Sequence, residues 1–164
     1  MLPLFPSWLT SPDGPLPHSP ANQIGAFYYV QGLGFLAELA QVLRKDPSEW
    51  STLHQKARAA FHRRFFDANV YGYSPTQRSG NQPAEISGSQ TSNAMALALN
   101  APPDSETRAR VLRSLVNNVV FENDFHLTVG IMGVHWVLST LVEAGRGDVA
   151  LRVMMADTFP SFGR

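Results

Sequence analysis

The sequence predicts an all-α domain built from consecutive helical hairpins. Apolar residues recur at three- and four-residue spacing in six segments of the chain, which is the period of an amphipathic helix. Proline, glycine and aspartate separate the segments, with short links inside each pair and longer polar loops between pairs. Within a pair, one helix is amphipathic and the other is apolar on nearly all sides or rich in glycine. This alternation is typical of an inner and an outer layer of helices.

The composition fits one domain and excludes several classes of binding partner. A chain of 164 residues can bury a substantial core. It carries 13 basic and 13 acidic side chains without a block of like charge, so we expect neither a nucleic-acid partner nor a membrane surface. The absence of cysteine excludes disulfides and thiolate metal sites. No apolar stretch is long enough to span a bilayer, and residues 1–6 lack the basic start of a signal peptide, so the compartment stays unknown.

The chain divides into a proline-rich start and a helical remainder. Residues 1–20 contain six prolines, which cannot continue a helix, and we expect either an extended, irregular segment or a disordered terminus there. Trp8 gives this segment an apolar anchor, and Asp13-Gly14 is a turn signal. Residues 21–164 are predicted to form the helical domain.

The first hairpin is predicted over residues 21–43 and a second helix that ends near Phe66. Asp46 is the predicted N-cap of the second helix, with Pro47 in the first helical position and Glu49 completing a capping box. Three glycines interrupt the first helix and predict the close approach of a neighbouring helix: Gly25, Gly32 and Gly34.

The second and third hairpins follow a long polar loop over residues 67–89, in which a short strand is predicted at residues 70–73. A short helix, apolar on nearly all sides, spans residues 94–99 and is therefore expected to be buried. Asp104 caps the next helix. The last two predicted helices cover residues 134–144 and 147–157, with Gly145 as the glycine that ends the first of them.

Three stretches in order resemble the catalytic domain of bacterial-type α-L-rhamnosidases, which are glycoside hydrolases with an (α/α)6 barrel of six hairpins. They are QTSNAMALAL at residues 90–99, HLTVGIMG at residues 126–133 and FPSFG at residues 159–163; AFYY at residues 26–29 also agrees. The resemblance covers nearly the whole chain. It implies about half of that barrel, hydrolysis of terminal α-L-rhamnose from glycosides by inversion, and no cofactor.

The resemblance also shows where this chain departs from the family. The family carries Gly-Asp-Trp where this chain has Pro6-Ser7-Trp8, so Ser7 replaces an acidic residue that lines the sugar site. The general acid of the family is a Glu shortly after that motif. Asp13 is the carboxylate nearest to that place here and becomes the catalytic candidate. The general base follows the Pro-Ser-aromatic-Gly stretch and lies beyond Arg164.

Three residues are candidates for binding the sugar. Trp8 offers a flat apolar face, or else it anchors the proline-rich segment. Gln90 can bond sugar hydroxyls, or it can cap the start of its helix. His126 can bond a hydroxyl or a carboxylate, or its ring can be bonded to backbone and fix the loop around it. The five histidines show no ligand spacing with carboxylates, so we predict no metal site.

Three functions therefore stay open. The chain is part of an active α-L-rhamnosidase-like hydrolase, a catalytically inactive carbohydrate-binding remnant, or a helical scaffold that binds another protein. Half a barrel leaves the apolar sides of its inner helices without neighbours. We therefore expect exposed apolar surface or self-association through the open edge.

Overall fold

The computed structural model describes residues 10–11, 14–15, 21–73, 88–158 and 161–162. Its helices are α1 (Ala21–Val42), α2 (Ser48–Phe65), α3 (Gln90–Ala98), α4 (Ser105–Asn117), α5 (Ile131–Glu143) and α6 (Gly147–Met155). Helix α4 runs on into a π-helical turn, Asn118–Glu122. Two antiparallel pairs of two-residue strands are present: β1 (Thr10–Ser11) with β2 (Gly14–Pro15), and β3 (Phe66–Asp67) with β4 (Gly72–Tyr73). The prediction of an all-α fold is confirmed.

The six helices form three consecutive hairpins in two layers. Helix α1 packs on α2, α3 on α4, and α5 on α6. Helix α3 also packs on α1 and, more extensively, on α5. The odd-numbered helices therefore form one layer with α3 in its middle, and the even-numbered helices cover it from outside. This is the alternation of apolar and amphipathic helices that the sequence predicts.

Helix α3 is the centre of the core. Every residue from 90 to 97 is buried, including the four polar residues of its first turn. Small apolar residues dominate the rest of this helix, so neighbours can approach it from all sides. Fully buried side chains of α1, β4, α4 and α5 complete the core: Phe27, Tyr73, Leu115, Val137 and Leu141.

One glycine is required by packing, and it is not one of those in α1. A Cβ atom at Gly133 in α5 would lie 2.2 Å from Thr91 Oγ1 in α3. The same construction at Gly25 and Gly32 meets nothing within 4 Å. The expectation that the glycines of α1 admit a close neighbour is thus wrong for these two residues within this structure, because their side of α1 faces open space.

Helix ends follow the predicted caps with small shifts. Asp104 Oδ1 accepts from Thr107 N at 2.7 Å and caps α4, and Gly145 ends α5 at a φ of 76°. Helix α2 begins one residue later than predicted, so Asp46 lies before the N-cap position and accepts from Ser48 N at 2.9 Å. Helix α5 begins three residues earlier than predicted, at Ile131.

The loop after α2 returns to the core through Tyr73. The short strand expected in this loop is present at Gly72–Tyr73. Tyr73 is fully buried, and its hydroxyl lies 2.7 Å from His62 Nδ1. Burial raises the pKa of Tyr73, so its hydroxyl keeps its proton and forms a hydrogen bond with the imidazole of His62.

Helices at both ends of the inner layer expose large apolar side chains. The exposed fractions are 63% for Phe35 and 78% for Val42 in α1, and 71% for Ile131 in α5. Exposed apolar side chains of this kind were expected for half a barrel. Among the described residues, no helix is long and apolar enough to cross a membrane.

Candidate functional site

Polar side chains gather where α1, α3 and α5 begin. Ser92 Oγ donates to Gln23 Oε1 at 3.0 Å and joins α3 to α1. Ser89 is the N-cap of α3, and its Oγ accepts from Ser92 N at 3.0 Å. All three residues are buried, so these bonds hold the first turns of the two helices in one arrangement. Gln23 Nε2 has no hydrogen-bond partner among the described residues.

Gln90 connects the start of α3 to the loop before α5. Its Nε2 donates to His126 O at 3.1 Å, and its Oε1 accepts from Thr128 N at 3.0 Å. The side chain is 1% exposed, so its amide is enclosed by these partners. Ser89, and not Gln90, caps the helix. Gln90 therefore positions the loop over residues 123–130, which we call the pre-α5 loop, and a contact of Gln90 with a sugar stays a prediction.

The pre-α5 loop starts with an unusual backbone. Asp124 and Phe125 follow one another with φ values of 43° and 62°, in the left-handed region that costs a residue with a side chain roughly 1–2 kcal/mol. Several contacts hold them there. Phe125 N donates to Val119 O at 2.7 Å, and the guanidinium of Arg152 lies 4.1 Å from the centre of the Phe125 ring. Strained backbone beside a π-helical turn is typical of functional sites.

His126 ties the pre-α5 loop to the chain after α6. Its Nδ1 lies 3.0 Å from Asn123 O, and its Nε2 lies 2.9 Å from Thr158 Oγ1 and 3.1 Å from Thr158 O. Each ring nitrogen therefore faces a carbonyl oxygen, which can only accept, and Nε2 also faces a hydroxyl, so the direction of these bonds depends on the tautomer of the ring. His126 thus makes the backbone contacts that one of the two predictions for it described, and its contact with a sugar stays a prediction.

The other predicted site residues are not placed. Trp8 and Asp13 lie outside the described residues, as does Ser7. Their proposed roles in sugar binding and catalysis are therefore untested.

Described carboxylates near helix ends have structural partners. Hydrogen bonds from Thr107 hold the pKa of Asp104 below its usual value, and the hydrogen bonds of Ser48 do the same for Asp46. Glu122 accepts from Asn117 Nδ2 at 2.8 Å beside the pre-α5 loop. Within the ranges that the structure describes, no group of three or more His, Asp or Glu side chains could hold a metal ion.

Sequence reasoning missed Gln23, Ser89 and Thr158 as members of this polar cluster. Gln23 is a polar residue inside an apolar helical pattern, and Ser89 stands three residues before the backbone amide that it caps. These are weak local signals. No local pattern marks Thr158, because its hydrogen-bond partner His126 is 32 residues away in the sequence.

Three hairpins in two layers, with polar side chains gathered at the beginnings of the inner helices, define part of a helical hairpin barrel. The chain belongs to the family described as the bacterial alpha-L-rhamnosidase 6 hairpin glycosidase domain, whose sequence model matches residues 6–164. Three hairpins are half of the six in that domain. The predicted family and the predicted half of an (α/α)6 barrel are both confirmed.

Individual relatives agree with this assignment. An α-L-rhamnosidase of Streptomyces avermitilis is 26% identical over 159 residues, which are 97% of this chain and 14% of that protein. The crystal structure of S. avermitilis α-L-rhamnosidase complexed with L-rhamnose matches with a TM-score of 0.73 at 26% identity, over 95% of this chain and 13% of that chain.

Two further solved structures have the same fold. The α-L-rhamnosidase from Dictyoglumus thermophilum matches with a TM-score of 0.71 at 28% identity, over 84% of this chain and 14% of that chain. The α-L-rhamnosidase from Aspergillus terreus matches with a TM-score of 0.72 at 21% identity, over 87% of this chain and 15% of that chain, and supports the fold alone. The chain thus spans 13–15% of the length of the solved chains it matches.

Proposed function

We propose that this chain contributes the sugar-facing end of a glycoside hydrolase domain that removes terminal α-L-rhamnose from glycosides. The observation that carries the proposal is the polar cluster at the beginnings of α1, α3 and α5, in a chain of the α-L-rhamnosidase family. A relative in S. avermitilis has been solved with L-rhamnose, which makes this sugar the first ligand to test.

Hydrolysis by inversion requires two carboxyl groups on opposite sides of the sugar, roughly 6.5–9.5 Å apart. One protonates the leaving oxygen and the other activates a water. We assign the first role to Asp13. The family's base follows a stretch equivalent to residues 160–163, so the proposed hydrolysis belongs to a complete six-hairpin domain.

His126 can bind a sugar hydroxyl through its Nε2. Its Nδ1 lies 3.0 Å from Asn123 O, which fixes the ring, and its Nε2 lies 2.9 Å from Thr158 Oγ1. A sugar hydroxyl that replaces the Thr158 hydroxyl bonds the same nitrogen, and Thr158 then has to turn away. The proposed role of His126 is to orient the sugar.

Turnover of a chromogenic α-L-rhamnoside by a complete six-hairpin domain that contains this chain tests the proposed hydrolysis. Loss of that turnover in Asp13→Asn, with Glu49→Gln unchanged, supports Asp13 as the acid, because Glu49 is an exposed carboxylate on α2. An NMR spectrum of the first product distinguishes inversion from retention by the anomer released. Equal turnover in Asp13→Asn refutes the assignment of Asp13.

Sugar binding without hydrolysis is the second candidate, because Ser7 stands where the family has an acidic residue. If the chain binds the sugar without hydrolysing it, the chromogenic rhamnoside is not cleaved, but L-rhamnose raises the free energy of unfolding. At 100 times its Kd the increase is about 2.7 kcal/mol. His126→Ala should lose the stabilisation, and His54→Ala on α2 should keep it. If rhamnose stabilises neither variant nor the parent chain, the binding proposal fails.

We also infer that the chain associates with itself through exposed apolar side chains of its inner layer. Such patches on a soluble domain mark interaction surfaces. A zero net charge does not oppose the contact. Sedimentation velocity over a range of concentrations tests this, and a monomer at all concentrations contradicts it.

A further inference from the structure

We propose that the crevice between α1, α2 and the end of α3 is a second carbohydrate site, which binds a neutral oligosaccharide of at least two pyranose rings. We call it the α1–α2 crevice, and its polar lining residues are Gln31, Glu38, His54, Arg58 and Asn100. Its volume of about 610 Å³ is that of a small-molecule site. The proposal goes beyond the removal of rhamnose, because this crevice is remote from the polar cluster.

The α1–α2 crevice exists because α3 is much shorter than α1. The bond between Ser92 and Gln23 places the first turns of these two helices at the same level. Helix α3 ends at Ala98 after 9 residues, whereas α1 has 22. The second half of α1 therefore continues beyond α3 with α2 beside it. All walls of the crevice belong to the first hairpin and the adjoining end of the second, which pack on one another.

The α1–α2 crevice lies at the opposite end of α3 from the polar cluster. Gln90 begins this helix and Asn100 follows its end, which separates them by about 15 Å at the rise of an α-helix. A monosaccharide held by the polar cluster does not extend that far. A sugar in the crevice is therefore bound independently of it.

Three side chains line the crevice in a row. The ring of His54 lies on Gly34, where a Cβ atom would be 3.4 Å from the Cε1 and Nε2 atoms of that ring. Arg58 is one turn after His54 on α2, and Glu38 is one turn after Gly34 on α1. The two helices of a hairpin are antiparallel, so Glu38 and Arg58 lie on opposite sides of His54. With one turn on each side, the row is about 11 Å long, which is about the length of two linked pyranose rings.

The row offers donors and acceptors that the fold does not use. No hydrogen bond or ion pair joins the side chains of Glu38, His54 or Arg58 to any residue that the structure describes. Asn100 Oδ1 accepts from Arg108 at 2.8 Å, which leaves the Nδ2 of Asn100 to donate. A sugar hydroxyl both donates and accepts, so the hydroxyls of one sugar chain can bond a carboxylate, an imidazole and a guanidinium in turn.

The charges of the crevice favour a neutral ligand over an ion. Burial, and then the charge of Arg58, lower the pKa of His54, whereas Glu38 raises it. The ring is therefore neutral near pH 7 and offers one donor and one acceptor. Glu38 and Arg58 cancel, and an ion would meet one charge of like sign. The aromatic rings of Tyr28 and Phe35 also line the crevice and offer apolar faces to the C–H side of a sugar ring.

Saturation-transfer NMR on a complete six-hairpin domain that contains this chain measures the binding. The probes are three two-ring sugars (cellobiose, maltose and gentiobiose) and the single-ring sugar D-glucose. At least one two-ring sugar should bind. D-Glucose should bind at least about tenfold more weakly than that sugar, because one ring spans half of the row and forgoes a bond to a charged group.

Substitutions at the two ends of the row locate the site. Glu38→Ala and Arg58→Ala should each raise the Kd of the two-ring sugar at least about tenfold, because each removes a charge-assisted hydrogen bond. Arg63→Ala is the matched control, since Arg63 is an exposed arginine of α2 that does not line the crevice, and it should keep the parent Kd. His126→Ala should also keep it, because His126 lies in the pre-α5 loop.

Three results overturn the proposal: no two-ring sugar binds, D-glucose binds as tightly as the two-ring sugars, or Arg63→Ala weakens binding as much as Arg58→Ala. Circular dichroism checks that each variant is folded. If Arg58→Ala loses its helical spectrum, Glu38→Ala decides, because Glu38 is exposed. None of these measurements uses a rhamnoside. Failure of the second site therefore leaves the proposed hydrolysis intact, and failure of the rhamnoside assays leaves the second site intact.

Discussion

Replacing Gly133 by alanine tests how closely α5 approaches α3. A Cβ atom at this position would lie 2.2 Å from Thr91 Oγ1, 2.9 Å from Val129 Cβ and 3.2 Å from Thr91 Cβ. Rotation of the Thr91 hydroxyl removes only the first of these contacts. The other two involve atoms fixed close to the backbone, so α5 has to move away from the most buried helix of the domain.

The cost follows from these contacts. Overpacking a core by one methyl group costs about 1–3 kcal/mol of stability, whereas the higher helix propensity of alanine over glycine contributes up to about 1 kcal/mol. Position 133 is in the first turn of α5, where the gain in helix propensity is small. We therefore expect Gly133→Ala to lower the free energy of unfolding by about 2–3 kcal/mol. For a domain of this size that corresponds to a decrease in Tm of about 5–10 °C.

Urea denaturation followed by circular dichroism measures this loss. Gly32→Ala is the matched control, since its Cβ meets nothing within 4 Å and the variant should be as stable as the parent chain or more stable. The double variant Thr91→Ala/Gly133→Ala should be at least about 1 kcal/mol more stable than the sum of the two single effects predicts, because Thr91→Ala removes the atom nearest to the new methyl group. Equal stabilities of Gly133→Ala and Gly32→Ala, or no coupling with Thr91, would refute the close approach of the two helices.

Two further perturbations test the polar contacts. Gln90→Leu leaves His126 O and Thr128 N without their partner, so we expect a loss of about 2–3 kcal/mol and faster hydrogen exchange in the pre-α5 loop; unchanged exchange would contradict the bracing role. Burial lowers the pKa of His62 below its usual 6.5, so stability present above pH 6.5 should be lost as the pH falls below that value, and His62→Gln should flatten this dependence in pH-resolved denaturation.

Periodicity predicted the helices because their apolar stripes are local features of the sequence. The start of α5 was the exception. Gly130 and Gly133 suggested a loop, but Gly133 lies inside the helix, at a position where Thr91 leaves no space for a side chain. The π-helical turn after α4 was also missed. It depends on how the chain enters the pre-α5 loop, and five residues are too few to show a periodic pattern in the sequence.

The polar cluster was only half predictable for a related reason. Gln90 and His126 drew attention because they stand in stretches that resemble the family. Their partners are distant in sequence: Gln90 bonds a carbonyl 36 residues away, and Ser92 bonds Gln23 across 69 residues. A hydrogen bond over such separations is set by how the hairpins stack. Local patterns therefore identified the residues but not the contacts that determine what they do.

Buried polar residues in α3 and exposed apolar residues in α1 have one common cause. An inner helix of a ring has a neighbour on each side, and α3 is the helix that has both, since it packs on α1 and α5. Its first turn is buried even though four of its residues are polar, and each depends on contacts within that turn or with neighbouring elements. Among the described residues, α1 and α5 each pack on α3 within the inner layer, and both helices expose large apolar side chains. The charged fraction of 16% is low for a domain with this much free surface, and it fits a chain whose free surface is meant to be covered.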